Sequence, residues 1–380
     1  MPACAPRTVD DPSYPSPRLV LDLGIVLDRF RALRAELAGT ELAYAVKANP
    51  HPAVLSLLAA EGASFDVASV GELADCLRTG VDPGRLSWGN PVKKASDVAA
   101  AVTAGVTRFT TDSAADVDLL ARHAPGAAVS VRLGVDDDGA ATPFAGKFGV
   151  DPGEAVALLR RARAGGLRPH GLGFHPGSQQ RDPRAWDAGI ALAARVAAAL
   201  DEEGGAPVEL NLGGGFPTPH ADGASPSVAA CARAIHDAVV REARDGWSPR
   251  LVAEPGRAVV ADAGTLRSEV VLVTRRGGRR WVYLDVGRYQ GLAETENEMI
   301  VYRLRTPGHE GAAVGPVVLA GPTCDGDDVL YRHADVSLPL DLAAGDAVEL
   351  LGAGAYTASY ASVGFNGLPP LPTFLEESPA

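Results

Sequence analysis

A lysine stands at the end of a largely apolar stretch, residues 41–50, in which Lys47 follows Tyr44, Ala45 and Val46. A lysine amine removed from water loses its proton more readily than one on the surface. The neutral amine can attack an aldehyde, and can therefore hold a carbonyl cofactor such as pyridoxal phosphate (PLP) as a Schiff base. A lysine that only extends its amine from a strand end into solvent gives the same local pattern. The interpretation of Lys47 therefore depends on the segments that follow it.

Two of those segments have residues suited to binding a phosphate group. Gly213, Gly214 and Gly215 follow a strand-like run, where bare backbone N–H groups can surround a phosphate without interference from a Cβ atom. An ordinary turn is also compatible with such a run, which is not the dinucleotide-binding GxGxxG pattern. Gly256 and Arg257 follow another strand-like run. They could complete the same phosphate cradle if the two strands are neighbours.

Two strand ends supply groups that could act on a flat aromatic cofactor. Glu254 precedes the second of the phosphate segments, and a carboxylate facing a pyridine ring keeps the ring nitrogen protonated. A protonated ring can accept the electrons of a carbanion. The alternative for Glu254 is an ion pair at a strand end. His175 could stack on the ring and Ser178 could donate to the phosphate, although His175 could also be a hydrogen-bonded core histidine.

A loop near the C-terminus, residues 321–328, carries the thiol of Cys324 beside three carboxylates. A solitary cysteine is usually an inert small apolar residue, and acidic loops are usually just solvated. Tyr356 and Phe365 follow further along the chain and are equally compatible with an apolar core. None of these segments is decisive by itself.

The elements that would position these residues alternate between strand-like and helical patterns. The first helical pattern places Val26, Phe30, Leu33 and Leu37 on one face before Gly39 ends it. Eight strands are predicted, at residues 43–48, 64–69, 85–90, 108–113, 128–133, 171–176, 208–213 and 250–255. Eight strands alternating with helices are typical of an α/β fold, the (β/α)₈ TIM barrel, whose active site lies at the carboxyl ends of its strands.

The pattern changes after residue 263 to short β-like runs separated by glycine, proline and charged turns. These runs lie at residues 269–274, 281–285, 317–320 and 347–351. We therefore predict a second, all-β domain. The boundaries we assign are residues 23–263 for a PLP-binding barrel, and residues 1–22 together with 264–380 for the β-sheet domain.

Composition excludes several classes of function. The formal net charge of −12 argues against a nucleic-acid surface. The first 18 residues are rich in proline and lack the apolar core of a signal peptide, and no later apolar run is long enough to span a bilayer. We therefore expect a soluble cytoplasmic protein with no membrane partner. Its four cysteines, Cys4, Cys76, Cys231 and Cys324, form no CxxC pair, so we expect free thiols and no metal site.

Together and in this order, the segments resemble those of the barrel-type (fold type III) PLP-dependent decarboxylases of basic amino acids. This group contains the ornithine, lysine and diaminopimelate decarboxylases. The resemblance rests on the segments AVKAN, FDVAS, HxGSQ, GGGFP, EPGR, GPTCDG, GAYT and FNG, and runs from about residue 18 to residue 374. The stretch 285–298 is similar to the bacterial ornithine/lysine type in particular.

The resemblance implies a role for each of four residues in the reaction. Lys47 would form the covalent link to PLP, His175 would stack on its ring, and Glu254 would pair with the pyridine nitrogen. Cys324 would protonate the substrate Cα after CO₂ leaves. The cofactor ligands implied in addition are Asp66, Ser178, Gly213, Gly214, Gly215, Gly256, Arg257 and Tyr356.

The same resemblance implies an obligate homodimer with shared active sites. The segment that contains Cys324 and Asp325 would complete the neighbouring subunit's site, and Tyr356 would reach the neighbour's phosphate. Asp325 would bind the distal ammonium of a small amino-acid substrate, with Glu298 as a second candidate and Phe365 beside the substrate.

The reaction that the resemblance implies is the decarboxylation of L-ornithine and/or L-lysine, which releases CO₂ and a diamine such as putrescine or cadaverine. A diaminopimelate decarboxylase would need a cation for its substrate's distal carboxylate, and the family members of that type carry CESxD where this chain has Cys324-Asp325-Gly326. Glu296-Asn297 departs from the apolar residue and aspartate expected there, which leaves open a modified or carrier-bound amino acid as substrate. Alanine racemases place an arginine where Glu254 stands. A non-catalytic regulatory homologue could lose cofactor ligands, and all of them are present.

Overall fold

The computed structural model describes residues 14–143, 146–201, 205–221, 223, 225–243 and 247–376. The chain divides into two compact units. The barrel unit comprises Phe30–Pro217 and Ser225–Gly256, and the β unit comprises Met1–Arg29, Thr218–Ala224 and Arg257–Ala380. Cys4 lies outside the described residues.

The barrel unit contains a closed barrel of eight strands, and all of its strand pairs are parallel. The strands are Thr40–Ala45, Ser64–Val67, Leu86–Trp88, Arg108–Thr111, Ala128–Arg132, Arg168–Gly173, Glu209–Asn211 and Arg250–Ala253. Successive strands are neighbours, and the last pairs with the first. Each of the first four strands carries a buried aromatic side chain that contributes to the core of the barrel unit. These residues are Tyr44, Phe65, Trp88 and Phe109.

Each strand of the barrel is followed by a helix or a turn that leads to the next strand. The helices are Pro52–Ala60, Val70–Arg78, Ala95–Thr103, Ala114–His123, Pro152–Ala164, Asp187–Asp201 and Val228–Glu242. Ser69, Ser113, Asp151 and Ser227 precede four of them, and each side chain accepts a hydrogen bond from the backbone N–H three residues on. Such caps satisfy N–H groups that have no partner within the helix, and so define where it begins. Outside the barrel, strands Ala140–Thr142 and Ser178–Gln180 pair in a small antiparallel two-stranded sheet.

The β unit is built around one long strand, Gly264–Arg276. Its first half pairs with Arg18–Asp22 and Ala347–Leu351, and its second half pairs with Arg279–Leu284 across the two-residue turn Gly277-Gly278. Both glycines have positive φ, which is the conformation that a tight hairpin of this length needs. The other strands are Arg303–Arg305, Val314–Pro316, Val318–Ala320, Val329–Tyr331, Ser337–Pro339 and Thr373–Glu376.

Helical segments of the β unit are few and short. Helix Leu23–Glu36 contains residues of both units, and Arg257–Val260 is a single turn of α-helix. Three 3₁₀ segments follow at Arg288–Gln290, Ala293–Glu298 and Phe365–Gly367. No helix among the described residues is both long and apolar enough to cross a membrane.

The structure confirms the predicted fold class and corrects several boundaries. All eight barrel strands exist, but the first ends at Ala45 instead of residue 48, and the sixth begins at Arg168 instead of residue 171. The four predicted β-like runs are strands as well, and the longest extends well beyond the predicted 269–274. The two-stranded sheet of Ala140–Thr142 and Ser178–Gln180 was not predicted, because three-residue strands carry too little periodicity to detect.

Candidate active site

Five functional side chains of the barrel unit follow or close its strands at their carboxyl ends. Lys47 follows the first strand and Asp66 lies in the second. Arg132 closes the fifth strand, His175 lies two residues after the end of the sixth, and Glu254 directly follows the eighth. Parallel strands in a closed barrel bring these ends to one rim. The topology therefore collects an amine, an imidazole, a guanidinium and two carboxylates from distant parts of the sequence.

Lys47 differs from its prediction in local structure and in exposure. The strand ends at Ala45, and Lys47 lies on the 3₁₀ turn Val46–Ala48, where its side chain is exposed. We predicted that the Lys47 amine lies at an apolar strand end, removed from water. In the single chain this is wrong, because the amine is exposed to solvent. The charge of the amine nevertheless acts on the barrel rim, because Lys47 lowers the pKa values of both Asp66 and His175.

Burial governs the protonation of Asp66 and His175. Asp66 is buried, and burial together with the charge of Glu254 raises the pKa of its carboxyl well above the ordinary value, although Lys47 opposes this. Burial, followed by the charges of Lys47 and Arg132, lowers the pKa of His175. The backbone N–H of Gly177 donates to His175 Nδ1 over 3.1 Å, so this nitrogen carries no proton. The imidazole ring of His175 is therefore neutral.

The three-glycine run fits a phosphate because its backbone lacks room for side chains. Gly213 and Gly215 have φ of +68° and +90°, in the left-handed region that favours glycine. A Cβ atom on Gly214 would lie 2.8 Å from the Glu254 backbone oxygen and 3.1 Å from His175 Nε2. The run therefore presents bare backbone directly beside the imidazole ring. This arrangement suits a flat ring that carries a phosphate.

Glu254 is oriented by a residue that sequence reasoning left without a role. Asn211 Nδ2 donates to Glu254 Oε1 over 2.6 Å, and Asn211 Oδ1 accepts from the backbone N–H of Gly213 over 2.9 Å. The backbone N–H of Glu254 also donates to the backbone oxygen of Gly213 over 2.8 Å. One amide thus links the carboxylate to the glycine run. The position of Asn211 at the end of a barrel strand was the available signal.

Arg132 is the second site residue that sequence reasoning missed. Burial lowers the pKa of its guanidinium, and the charges of Glu254, Asp112 and Asp66 oppose this. The Arg132 Cζ atom lies 5.0 Å from the centre of the Phe148 ring. Arg132 lines a small cavity of about 30 Å³ together with His175, Asn211 and Glu254. Like Asn211, Arg132 is the last residue of a barrel strand, and this position was the sequence signal that it belongs to the site.

The predicted phosphate ligands are distributed over both units. Ser178 begins a strand of the small two-stranded sheet and pairs with Thr142 in the barrel unit. Gly256 is the last residue of the barrel unit, and Arg257 and Tyr356 belong to the β unit. There the guanidinium of Arg257 lies 5.0 Å from the centre of the Tyr356 ring. Arg257 and Tyr356 are therefore neighbours within one chain.

The loop that carries Cys324 is exposed. Cys324 is a free thiol, as are the buried Cys76 and Cys231. Asn366 Nδ2 donates to Cys324 Sγ over 3.4 Å. Burial raises the pKa of Cys76 to about 12 and that of Cys231 to about 11, so neither buried thiol ionises at neutral pH. Cys324 is the exposed thiol of the part of the chain that the structure describes.

Asp325 and Phe365 lie close to the same tyrosine. The rings of Tyr289 and Phe365 have centres 4.4 Å apart. Burial, followed by the charge of Asp325 and a hydrogen bond to it, raises the pKa of Tyr289. Asp325 Oδ1 also accepts from the backbone N–H of Asp327 over 2.8 Å. These residues form one group in the β unit, which we call the Cys324 cluster: Cys324, Phe365 and Asn366 are exposed, and Asp325 and Tyr289 are half-buried.

The loop of the Cys324 cluster is held by Asp328, which is buried. Asp328 Oδ2 accepts from the backbone N–H of Thr323 over 3.0 Å and from its hydroxyl over 2.7 Å. Asp328 Oδ1 accepts from the backbone N–H of Arg288 over 2.9 Å. The carboxylate therefore fixes both the loop and its neighbouring segment.

Glu298 lies in an unexpected environment. Its carboxylate accepts from the backbone N–H groups of Arg332, His333 and Ala334, over 2.5, 2.7 and 2.5 Å. Burial alone would raise the pKa of Glu298, but these three hydrogen bonds lower it. Asn297 and Glu298 have φ of +52° and +57°, which is a strained backbone for residues other than glycine. The hydrogen bonds anchor this turn, and the role of Glu298 as a ligand for a substrate amine stays a prediction.

Comparison with known proteins identifies the family of the chain. Residues 23–261 match the family model described as pyridoxal-dependent decarboxylase, pyridoxal binding domain. The chain is 37% identical to the lysine/ornithine decarboxylase of Selenomonas ruminantium over 365 residues, which cover 96% of this chain and 90% of that protein.

Solved structures give the same result. The Selenomonas ruminantium lysine decarboxylase in complex with PLP and cadaverine has a TM-score of 0.86 and 36% identity, over 96% of this chain and 91% of that one. The Vibrio vulnificus lysine/ornithine decarboxylase complexed with cadaverine has a TM-score of 0.86 and 30% identity, over 96% of both chains. The chain therefore belongs to the pyridoxal-dependent decarboxylases, enzymes that remove the carboxyl group of an amino acid with PLP as cofactor.

Proposed function

We propose that this enzyme decarboxylates L-lysine and/or L-ornithine, and releases CO₂ with cadaverine or putrescine. The observation that carries the proposal is the group of Lys47, Asp66, His175 and Glu254 at one rim of the barrel. Related lysine/ornithine decarboxylases have been solved with cadaverine and with putrescine. Those ligands support a substrate with a cationic distal end, which Asp325 would bind.

The roles of the barrel residues follow from their environments. The Lys47 amine binds the cofactor's aldehyde, and its exposure leaves it accessible to both cofactor and substrate. The neutral ring of His175 stacks on the cofactor without adding a second positive charge. The Glu254 carboxylate, held by Asn211, keeps a proton on the pyridine nitrogen. When bound, PLP supplies the electron sink for the carbanion that remains as CO₂ leaves.

We propose that the cofactor phosphate is bound by the residues that the family resemblance implies. Gly213, Gly214, Gly215 and Gly256 offer backbone N–H groups, and Ser178 offers its hydroxyl. Arg257 and Tyr356 offer side chains. Because Arg257 stacks on Tyr356 within one chain, we propose that both serve the same subunit's phosphate. This replaces the expectation that Tyr356 reaches the neighbouring subunit.

A homodimer with shared active sites is proposed from the exposed Cys324 cluster. Cys324 Sγ would donate a proton to the substrate Cα in the partner's barrel, and the Asp325 carboxylate would bind the distal ammonium there. Phe365 of the cluster is 36% exposed in the single chain, and the nearby residues Tyr360 and Val363, which precede it in sequence, are 56% and 84% exposed. Exposed apolar groups of this kind mark interaction surfaces, which supports coverage by a second copy. The cytoplasmic location expected from the sequence stays a prediction.

Subunit mixing tests the shared site. Each variant, Lys47→Ala and Cys324→Ala, loses one half of the site, and random exchange makes half of the dimers mixed. Each mixed dimer then holds one intact site, so amine production should recover to about a quarter of the wild-type rate. No recovery after proven subunit exchange would mean that each site is built from one chain.

A substrate screen tests the proposed reaction. We expect the purified holoenzyme to have its highest kcat/KM for lysine or ornithine, and to discriminate between them weakly, because one methylene is worth about 1 to 3 kcal/mol in a binding pocket. Diaminopimelate and the D-amino acids serve as controls and should react poorly. A preference for diaminopimelate would contradict the role of Asp325.

A second candidate, a modified basic amino acid as substrate, is favoured by one observation. Asn297 stands in the segment where the family resemblance leads us to expect an aspartate, and it lines a cavity of about 460 Å³ together with Gly326 and Asp327. This cavity directly adjoins the loop of Asp325. Activity on an Nω-acylated lysine above that on lysine in the same screen would support this candidate.

A further inference from the structure

In the β unit, Arg257 forms a buried ion pair with Glu294, a residue to which the proposed reaction gives no role. Glu294 Oε2 accepts from Arg257 Nη1 over 2.9 Å, and Glu294 Oε1 accepts from Arg257 Nη2 over 2.5 Å. The side chains of Arg257 and Glu294 are only 3% and 9% exposed. Removing two charges from water costs free energy, and only a pair with good hydrogen-bond geometry offsets that cost. The two parallel hydrogen bonds between Arg257 and Glu294 have this geometry.

The pair controls both the charge and the orientation of Arg257. Burial alone would lower the pKa of the guanidinium, but the charge and hydrogen bonds of Glu294 raise it above its ordinary value. Two parallel hydrogen bonds also fix the plane of a guanidinium group, because its N–H donors have a rigid geometry. The same group lies over the Tyr356 ring. Glu294 and Tyr356 therefore hold Arg257 in one orientation.

Glu294 also belongs to the segment that bears the substrate-recognition candidates. It is the second residue of the 3₁₀ segment Ala293–Glu298, which contains Asn297 and Glu298. The backbone oxygen of Glu294 accepts a hydrogen bond from the N–H of Ile300 over 3.2 Å. This bond links the start of the segment to the residues that follow its end. The turn at Asn297 and Glu298 is anchored separately by the hydrogen bonds that Glu298 accepts from residues 332–334. Arg257 is thus joined through Glu294 to the backbone of this segment.

We propose that Glu294 is a positioning residue that orients Arg257 for the cofactor phosphate and connects this cation to the substrate-recognition segment Ala293–Glu298. The inference rests on the proposed function, in which Arg257 binds the phosphate. Because linkage is reciprocal, a cofactor that constrains Arg257 also constrains the segment, and a disturbed segment weakens cofactor binding.

The test is cofactor binding to the full-length apoenzyme of the Glu294→Gln variant. Glutamine keeps the size of the side chain but offers Arg257 a single neutral acceptor. The dissociation constant of PLP should rise by about tenfold or more, the effect of misdirecting one charge-assisted contact to phosphate. The dissociation constant of pyridoxal, which lacks the phosphate, should stay unchanged. At saturating PLP, the KM for lysine should rise several-fold with kcat nearly unchanged.

Glu349 provides the matched control. Its side chain is fully buried in the same unit, and it accepts from Arg267 Nη1 over 3.0 Å and from Arg305 Nε over 2.6 Å. Glu349→Gln also removes a buried carboxylate from arginine, and should lower the thermal stability of the protein while leaving the PLP dissociation constant unchanged. Equal effects of Glu294→Gln and Glu349→Gln on PLP binding would reduce Glu294 to a purely structural role and overturn the inference.

Arg257→Lys separates failure of the inference from failure of the proposed function. If Arg257→Lys binds PLP as tightly as the parent protein, the phosphate role of Arg257 is wrong, and the inference falls with it. If Arg257→Lys weakens PLP binding while Glu294→Gln leaves it unchanged or strengthens it, only the inference is wrong. Should Glu294→Gln fail to fold, Glu294→Asp keeps the charge but shortens the reach, and the same rise in the PLP dissociation constant is required.

Discussion

The barrel rim and the Cys324 cluster carry the two halves of the proposed chemistry, and they are built in different ways. At the rim, Asp66 is buried, and its pKa and that of His175 are moved in opposite directions by burial and by their neighbours' charges. In the cluster, Cys324 is exposed and Asp325 is only half-buried. One chain thus contains a pre-organised cofactor site and a loop of reactive groups without a buried environment.

The difference follows from topology. A closed parallel barrel must bring the carboxyl ends of its strands together, so groups at those ends share one environment regardless of their separation in sequence. The Cys324 cluster is assembled from loops fixed by local hydrogen bonds, such as those that Asp328 accepts. Loops of this kind can present side chains, but they do not remove them from water. The comparison predicts that rim variants abolish chemistry, whereas cluster variants redirect it or change its selectivity.

The largest effect is expected for Lys47→Ala. Without an amine at this position the cofactor has no covalent partner, so turnover and the visible absorbance of the bound cofactor should both be lost. Lys147→Ala is the control, because Lys147 is also exposed, with its Nζ atom 5.1 Å from the centre of the Phe148 ring. That variant should keep the absorbance. Covalently bound PLP in Lys47→Ala would mean that another lysine is the nucleophile.

Glu254→Gln comes next. The amide can still accept a hydrogen bond from Asn211, but it no longer favours a proton on the pyridine nitrogen. We expect PLP to bind and kcat to fall by about 100-fold or more. Stopped-flow absorbance together with CO₂ release would separate binding from chemistry. A rate within a few-fold of the parent protein would refute the assignment of Glu254.

Cys324→Ala should change the product more than the rate. Without a placed acid at Cα, the proton can add instead at the C4′ carbon of the cofactor, which yields an aldehyde and pyridoxamine phosphate in place of the amine. The control is Cys76→Ala, which removes a buried thiol whose pKa lies near 12. Product analysis by mass spectrometry checks the partition. Clean amine production at the normal rate would exclude Cys324 as the acid.

Asp325→Ala should act on selectivity. Because the carboxylate would form a charge-assisted hydrogen bond to the distal ammonium, its loss should lower kcat/KM for lysine or ornithine by about tenfold or more. An uncharged analogue of similar length, norleucine, should lose much less. Asp327→Ala changes a neighbouring exposed carboxylate and serves as control. An equal loss of kcat/KM for lysine and norleucine would mean that Asp325 maintains the conformation of the loop and does not bind the distal ammonium.

The smallest effect concerns stability at acid pH. The pKa of His175 is lowered in the folded protein, so below the ordinary value of 6.5 the unfolded chain takes up a proton that the folded chain does not. His175 therefore lowers stability as the pH falls below 6.5. In urea unfolding of the apoenzyme, His175→Gln should lose less stability between pH 8 and pH 5.5 than the parent protein, by on the order of 1 kcal/mol. An unchanged pH dependence would contradict a lowered pKa of His175 in the folded protein.

Local signals in the sequence were strong enough to predict the barrel and most of its rim. Eight apolar runs alternating with helical patterns specified the fold class, since side-chain periodicity is a local property of each element. Lys47, His175, Gly213 and Glu254 were predicted as site residues because strand ends in such a barrel define the site. The ends of the strands themselves were less certain, because the last residue of a strand depends on pairing with its neighbours. The turn at Lys47 is the clearest example.

Contacts between distant residues were decided only by the tertiary structure. Asn211 and Arg132 bear on Glu254 from other strands, and Glu294 reaches Arg257 across 37 positions of the chain. Glu298 was predicted to face a substrate, yet its carboxylate is held by backbone N–H groups more than 30 residues away. The type of a residue sets which bonds it can form, but the partner is chosen by packing. Packing depends on the whole chain, so it cannot be predicted from local sequence patterns.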